Sequence, residues 1–326
     1  MSDDSESPPK EEQTTDTESE KIVDDGSRGD TATDVVNLPL GDDWRTDDAA
    51  KHVAAHRRCT WILVVGAQRA GKTTLAGALY QQFLLSSFAG FEFAGSETLV
   101  GFEKRCHFLT TGSRLPRPDM RRTSYQEQTK ILHIRVKCLQ SGKLHDLMFM
   151  DMSGEYYEAA AGSDDDCREV NLWKAADQVI FLLDGKNLAD LSKRHQAVGD
   201  SGQLLRRCAD LNLLTSLSNV DVLANKQDEI DRADDDGEAS AFTGEFLEEL
   251  DETYSDRFAR FRTHRVALMP ETFGRDYGLL HGVDKLFPTW VRARREFPRM
   301  KLGTQSSTRV FDRFRCTSRQ VKLAND

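Results

Sequence analysis

The chain has 326 residues, 30% of them charged, and a formal net charge of -10. That length holds one large domain or two small ones. The acidic balance speaks against a nucleic-acid partner, because neutralising phosphates demands surplus Lys and Arg. No run of about eighteen apolar residues is available to cross a bilayer, and the start MSDDSESPPK lacks the apolar core of a secretory signal.

Residues 1–57 are rich in Asp, Glu, Ser and Thr and predict a disordered acidic arm. Trp61 to Val65 then predicts a buried strand. It runs into Gly66-Ala67-Gln68-Arg69-Ala70-Gly71-Lys72-Thr73 and a helix over Thr73 to Phe83, where Leu75, Ala78, Leu79 and Phe83 recur near helical spacing. Residues 86–128 read as one long connection, a length that is usually functional or mobile. Ile131 to Val136 predicts a half-exposed strand, Ser141-Gly142 a turn, and Asp146 to Asp151 a more buried antiparallel neighbour.

Farther on, Ala176 to Leu183 and Asn219 to Ala224 predict strands, with a helix over Gln203 to Leu214 between them. Residues 229–239 read as a charged loop. Phe242, Phe246, Leu247, Leu250, Tyr254, Phe258 and Phe261 fall on one helical face and read as core packing. Arg265 to Met269 is the last predicted strand and Val283 to Phe297 a closing helix. Residues 301–326, basic from Arg309 to Lys322, read as a tail. Alternating strands and helices imply an α/β fold, with a mainly parallel sheet and one antiparallel edge strand. Its ligands belong at the carboxyl ends of the strands. The six cysteines form no C-x-x-C pair, which reads as reduced thiols in a cytoplasmic protein.

Three motifs fall at that edge. The first, G-x-x-x-x-G-K-T between a strand and a helix, is a phosphate-binding loop: its backbone N–H groups, from Ala67 to Thr74, curl around phosphate oxygens. The following helix start adds partial positive charge. Lys72 would reach the β- and γ-phosphates and the Thr73 hydroxyl would hold Mg2+. The second is Asp151-Met152-Ser153-Gly154. Its carboxylate can accept a metal-bound water, and the Gly154 N–H can sense a γ-phosphate. The third is Asn225-Lys226-Gln227-Asp228, where a carboxylate can take both the N1–H and the N2 amine of guanine. Adenine would leave that carboxylate unpaired, at a cost of about 1–3 kcal/mol.

Together these residues resemble the small GTPase-like domain of the translation-factor-related class, a three-layer P-loop nucleoside triphosphatase fold, over roughly Thr60 to Phe297. The resemblance implies GTP or GDP with Mg2+ as ligands. It makes Gly66, Gly71, Lys72, Thr73 and Thr74 phosphate and metal contacts, and Asp151 and Gly154 the metal and γ-phosphate sensor. Asn225, Lys226 and Asp228 become the guanine reader, with the Lys226 stem along the base. Val266-Ala267-Leu268 matches the last motif, where the Ala267 N–H would meet the guanine O6. A switch threonine for Mg2+ lies among Thr110, Thr111 and Thr123, with Thr123 favoured as nearest the next strand. The DMSGE phrase, the Leu115-Pro116 segment and the long first switch are similar to bacterial double-GTPase proteins of conflict and signalling gene clusters. A protein effector or a second GTPase is the partner this implies.

Two departures bear on catalysis. Glu155 stands where Ras-like members carry the glutamine that orients water, which predicts slow intrinsic hydrolysis unless a partner adds a cation; an arginine supplied in trans is worth roughly 10^3 to 10^5 in rate. Gln68 and Arg69 occupy loop positions that are often small. Gln68 is placed to contact a γ-phosphate or, like Arg69, to face solvent.

Overall fold

The structure is a computed structural model and describes residues 47–106, 130–170, 172–234, 237–271 and 277–294. In chain order the elements are α1 (Asp47–His56), β1 (Cys59–Gly66), α2 (Lys72–Leu85), β2 (Phe91–Gly95), α3 (Leu99–Cys106), β3 (Lys130–Cys138) and β4 (Leu144–Asp151). Then follow α4 (Gly154–Gly162), α5 (Asp164–Glu169), α6 (Leu172–Ala175), β5 (Gln178–Asp184), α7 (Gly185–Ala189) and α8 (Arg194–Asp210). The last are β6 (Asn219–Asn225), α9 (Gln227–Ala233), α10 (Glu238–Tyr254), β7 (Arg260–Arg265) and α11 (Phe287–Val291).

The strands form one seven-stranded sheet in the order β2-β3-β4-β1-β5-β6-β7. Strand β1 pairs in parallel with β4 and β5, and β5, β6 and β7 continue in parallel. Only β3 is reversed, antiparallel to both β4 and β2. Its reversal follows from the short turn at 139–143, closed by Gly142 in the left-handed region (φ 68°). A connection so short permits only an antiparallel neighbour. The reversed strand thus stands one place in from the edge, with β2 outside it.

Both faces of the central strands are covered, so they read as continuous apolar runs rather than as alternation. Leu63, Val65, Met150, Phe181 and Val222 point into one core, under α4, α8 and α10. Ile62, Val64, Phe149, Leu182 and Leu223 point into the other, with Leu75 and Leu79 of α2, Phe102 of α3 and Trp290 of α11. Successive strands connect to opposite sides of β1, which opens a crevice at its carboxyl end, where open α/β sheets bind ligands.

Several expectations shift. The acidic arm is not without order up to residue 57: α1 spans Asp47–His56 and buries Ala50 against the first core. Residues 1–46 lie outside the described residues. The connection predicted over 86–128 contains β2 and α3, while 107–129, with Thr110, Thr111, Leu115-Pro116 and Thr123, lies outside them. The second long helix begins earlier than predicted, at Arg194, and ends at Asp210. The charged loop at 229–239 begins inside α9, and α10 starts at Glu238.

The aromatic stripe leaves the helix after Tyr254. Phe258 and Phe261 fold back on Tyr254, with ring centroids 5.9 and 5.6 Å away, so the packing role holds across a helix, a turn and a strand. The last strand is Arg260–Arg265 rather than 265–269, and the closing helix is only Phe287–Val291 within the described range. The tail at 301–326 lies outside the described residues. Among them, no helix is long and apolar enough to cross a membrane.

Candidate functional site

Strand β1 ends in a loop that only glycine permits at two points. A Cβ on Gly66 would lie 2.5 Å from the Leu182 carbonyl of β5, and one on Gly71 (φ 103°) would overlap the Asn225 amide. Arg69, at the tip, also has a left-handed backbone (φ 65°). Lys72 opens α2, and its Nζ donates to the Gly66 and Ala67 carbonyls at 2.8 and 2.9 Å. Burial lowers the pKa of this ammonium below the ordinary lysine value, against the opposing pull of the Asp151, Glu158 and Glu155 carboxylates. A buried cation that donates to carbonyls inside a concave loop is suited to a polyanion. Thr74 follows, half-buried on the same helix turn.

The second motif meets this loop. Asp151, the last residue of β4, is buried, and its Oδ2 accepts a hydrogen bond from Thr73 Oγ1 at 2.6 Å. Two hard oxygens so close to a phosphate cradle form the donor set Mg2+ takes beside a substrate phosphate. Ser153 caps α4 by accepting from the Tyr156 N–H. Gly154 begins that helix directly against the loop: a Cβ there would lie 2.6 Å from Gln68 Cγ and 2.9 Å from the Gln68 nitrogen. Gln68 and Arg69 are both exposed, with the Gln68 backbone and Cγ packed against Gly154. Beside it, Glu155 Oε2 is buried with no hydrogen-bond partner among the described residues.

The third motif is tied to the first. Asn225 Nδ2 donates to the Ala70 carbonyl at 2.9 Å, and Asn225 Oδ1 accepts from the Leu268 N–H at 3.1 Å. One side chain thus links the phosphate loop, the end of β6 and the segment after β7. Lys226 has a left-handed backbone (φ 62°), and its Nζ lies 2.8 Å from Asp184 Oδ1. Asp228, 8% exposed, accepts from the Glu271 N–H at 3.1 Å and has Arg232 at 3.6 Å. A groove of about 830 Å³ runs from Gln68 and Arg69 between α7 and α9, past Asp184, Lys186 and Lys226.

Ala267 does not have the placement read from sequence. It is fully buried and forms a two-way bridge with His281: its N–H donates to the His281 carbonyl at 3.2 Å, and the His281 N–H returns a bond at 2.9 Å. The Leu268 N–H is taken by Asn225, so the first backbone N–H beyond these two bonds is that of half-buried Met269. Sequence reasoning also missed Asp184 and Gly185. The available signal was a D-G step at the end of an apolar strand, the same place in the fold as Asp151 and Asn225.

Known structures with a similar fold include the signal recognition particle receptor SRb-GTP/SRX complex from Chaetomium thermophilum, at 14% identity and a TM-score of 0.39, covering 72% of this chain and 99% of that one. Another is the GTPase-like domain of S. cerevisiae Ski7 bound to GDP and inorganic phosphate, at 15% identity and a TM-score of 0.46, covering 77% of this chain and 53% of that one. A third is a GTP-binding protein from Sulfolobus solfataricus in complex with GDP, at 14% identity and a TM-score of 0.33, covering 68% of this chain and 51% of that one. No curated protein matches the sequence. Residues 60–291, from β1 to the end of α11 and through all three motifs, match the Double-GTPase 2 family, and the chain belongs to it.

Proposed function

We propose that this protein binds guanine nucleotide with Mg2+, hydrolyses GTP slowly, and uses the difference between the two nucleotide states to signal to a protein effector or a second GTPase. The observation that carries this reading is the Asn225 link. It joins the phosphate loop to the strand end that bears Asp228, so one purine nucleotide can reach from the cradle to that carboxylate. Lys72 and the loop N–H groups from Ala67 to Thr74 hold the phosphates. Thr73 and Asp151 hold the metal, whose chemistry is to neutralise charge on the phosphate oxygens. Thr123, outside the described residues, stands as the switch threonine. Asp228 takes the guanine N1–H and N2 amine, and the Lys226 stem lies along the base. The O6 donor passes from Ala267 to the Met269 N–H, because Ala267 is bonded to His281.

In hydrolysis, water adds to the γ-phosphorus and the bond to the β–γ bridging oxygen breaks. Glu155, with a buried oxygen that has no hydrogen-bond partner among the described residues, would orient that water. Gln68, lying against Gly154, couples the loop to the segment that senses the γ-phosphate. No disulfide joins the five cysteines among the described residues, and reduced thiols suit a cytoplasmic setting.

The test is equilibrium binding of GTP, ATP and XTP to wild type and Asp228→Asn. Wild type should prefer guanine. The variant should lose guanine affinity by roughly 10- to 100-fold and gain xanthine, which carries an oxygen in place of the N2 amine. A preference for adenine in the wild type sinks the reading. A second reading, a non-catalytic guanine-nucleotide-binding interaction protein, draws on the carboxylate at 155. Single-turnover phosphate release from wild type, Glu155→Gln and Glu155→Ala separates the two.

A further inference from the structure

Asp184 ends β5 in register with Asn225 of β6, and it is only 6% exposed. Its Oδ1 accepts the Lys186 N–H at 3.1 Å, which caps α7, and lies 2.8 Å from Lys226 Nζ. The next residue presses the two turns together: a Cβ on Gly185 would overlap the Asn225 carbonyl and come within 2.8 Å of the Lys226 carbonyl. Lys226 meanwhile starts from a left-handed backbone that lysine rarely adopts. Both ends of its side chain are therefore fixed, the Cα by the turn and the ammonium by a buried carboxylate. A four-carbon stem free at its tip has rotamer freedom to lose when a ligand immobilises it. Anchored at both ends, it has already lost most of that freedom.

We propose that Asp184 is a positioning residue that stretches the Lys226 stem into a fixed rail for the purine face. It thereby sets how long any guanine nucleotide stays bound, without reading the base or the γ-phosphate. The inference rests on the nucleotide-binding reading above. The Lys226 ammonium, already paired, adds little net attraction for phosphate, so its contribution is the shape of the stem. The charged groups facing this pair are Lys186 on α7 and Glu229 on α9. Glu229, half-buried, is the other carboxylate acting on Lys226.

The experiment is stopped-flow release of fluorescent GDP and of a fluorescent non-hydrolysable GTP analogue. The proteins are wild type, Asp184→Asn, Lys226→Met and the double variant. Asn keeps the Oδ1 that caps α7 but removes the charge that anchors the ammonium, and Met keeps the apolar stem without its anchor. Each single variant should release both nucleotides faster by the same factor, roughly tenfold. The double variant should match the singles, and the guanine-to-xanthine preference should stay at the wild-type value. Unchanged release in Asp184→Asn overturns the inference while leaving nucleotide binding intact. So do effects of the two substitutions that multiply in the double variant, which would place Asp184's action in the fold rather than in the lysine. A wild type that binds no guanine nucleotide overturns the functional reading itself, and this inference with it.

Discussion

Toward the amino ends of the strands, two buried carboxylates are closed off by several side-chain donors; at the carboxyl ends Lys72 and Glu155 stand in barer surroundings, beside carboxylates such as Asp184 that are paired. Asp221 of β6 is fully buried and accepts two hydrogen bonds from Arg262, at 2.9 and 2.8 Å, and a third from Trp290 Nε1 at 2.5 Å. Asp146 of β4 accepts from Arg135 Nε and from His133 Nε2, both at 2.8 Å. The Glu97 N–H donates to His133 Nδ1, which fixes the histidine proton on Nε2. At the opposite end, among the described residues, Lys72 Nζ donates to two loop carbonyls and an oxygen of Glu155 has no hydrogen-bond partner. The first arrangement holds elements together. The second keeps polar groups under-served until a ligand arrives, the signature of a binding site.

This contrast breaks if substitutions at the two ends have the same effect. The largest expected change is in stability: Asp221→Ala removes the fully buried acceptor shared by the part-buried Arg262 guanidinium and Trp290 Nε1, and should cost about 3 kcal/mol in urea unfolding. Guanine selectivity in the molecules that remain folded should be untouched. Next, Lys72→Met should weaken GTP binding roughly 100-fold, or about 2–3 kcal/mol, since it removes a charge-assisted donor. Its thermal midpoint should not fall, because the wild-type ammonium is itself desolvated. A Lys72 variant that unfolds while binding normally would reverse the comparison.

The smallest effect is an acid limb. Burial pushes the Asp146 carboxyl up, but hydrogen bonds from His133 and Arg135 outweigh it and hold the carboxyl below its ordinary value of 3.8. A depressed folded pKa contributes stability in full above the unfolded pKa. That contribution is lost as pH falls through the lowered folded value. Denaturation followed across that acid range should therefore show a loss of about 1–2 kcal/mol in wild type. Asp146→Asn should lack it.

Much of this was legible because chemistry and burial leave strong marks in sequence. Strands β1, β4, β5 and β6, covered on both faces, are mainly apolar runs, and the phosphate loop needs its glycines where the Leu182 carbonyl and the Asn225 amide press on it. Strand β7 was hidden by Arg260, Arg262, His264 and Arg265, which leave Phe261 as its one large apolar residue. Helix α9 is almost wholly polar, with Ile230 as its buried anchor. Strand β2 is five residues among glycines, and α1 packs chiefly through alanine and valine. Two features of the site were beyond local pattern altogether. The Ala267–His281 bridge joins segments fourteen positions apart, and the Asp184–Lys226 contact joins the ends of two strands. Neither partner carries any mark of the other.

The amide of Asn225 touches the Ala70 carbonyl on one side and the Leu268 N–H on the other. In the function proposed above, it would work as a spacer of set length between the seat for phosphate and the seat for base. A nucleotide bound in that way would meet two half-sites whose separation is already chosen, so little of its affinity would go into arranging them. The same rigidity makes position 225 unforgiving: a carboxylate there has no N–H to offer Ala70, and a longer amide would change the gap itself.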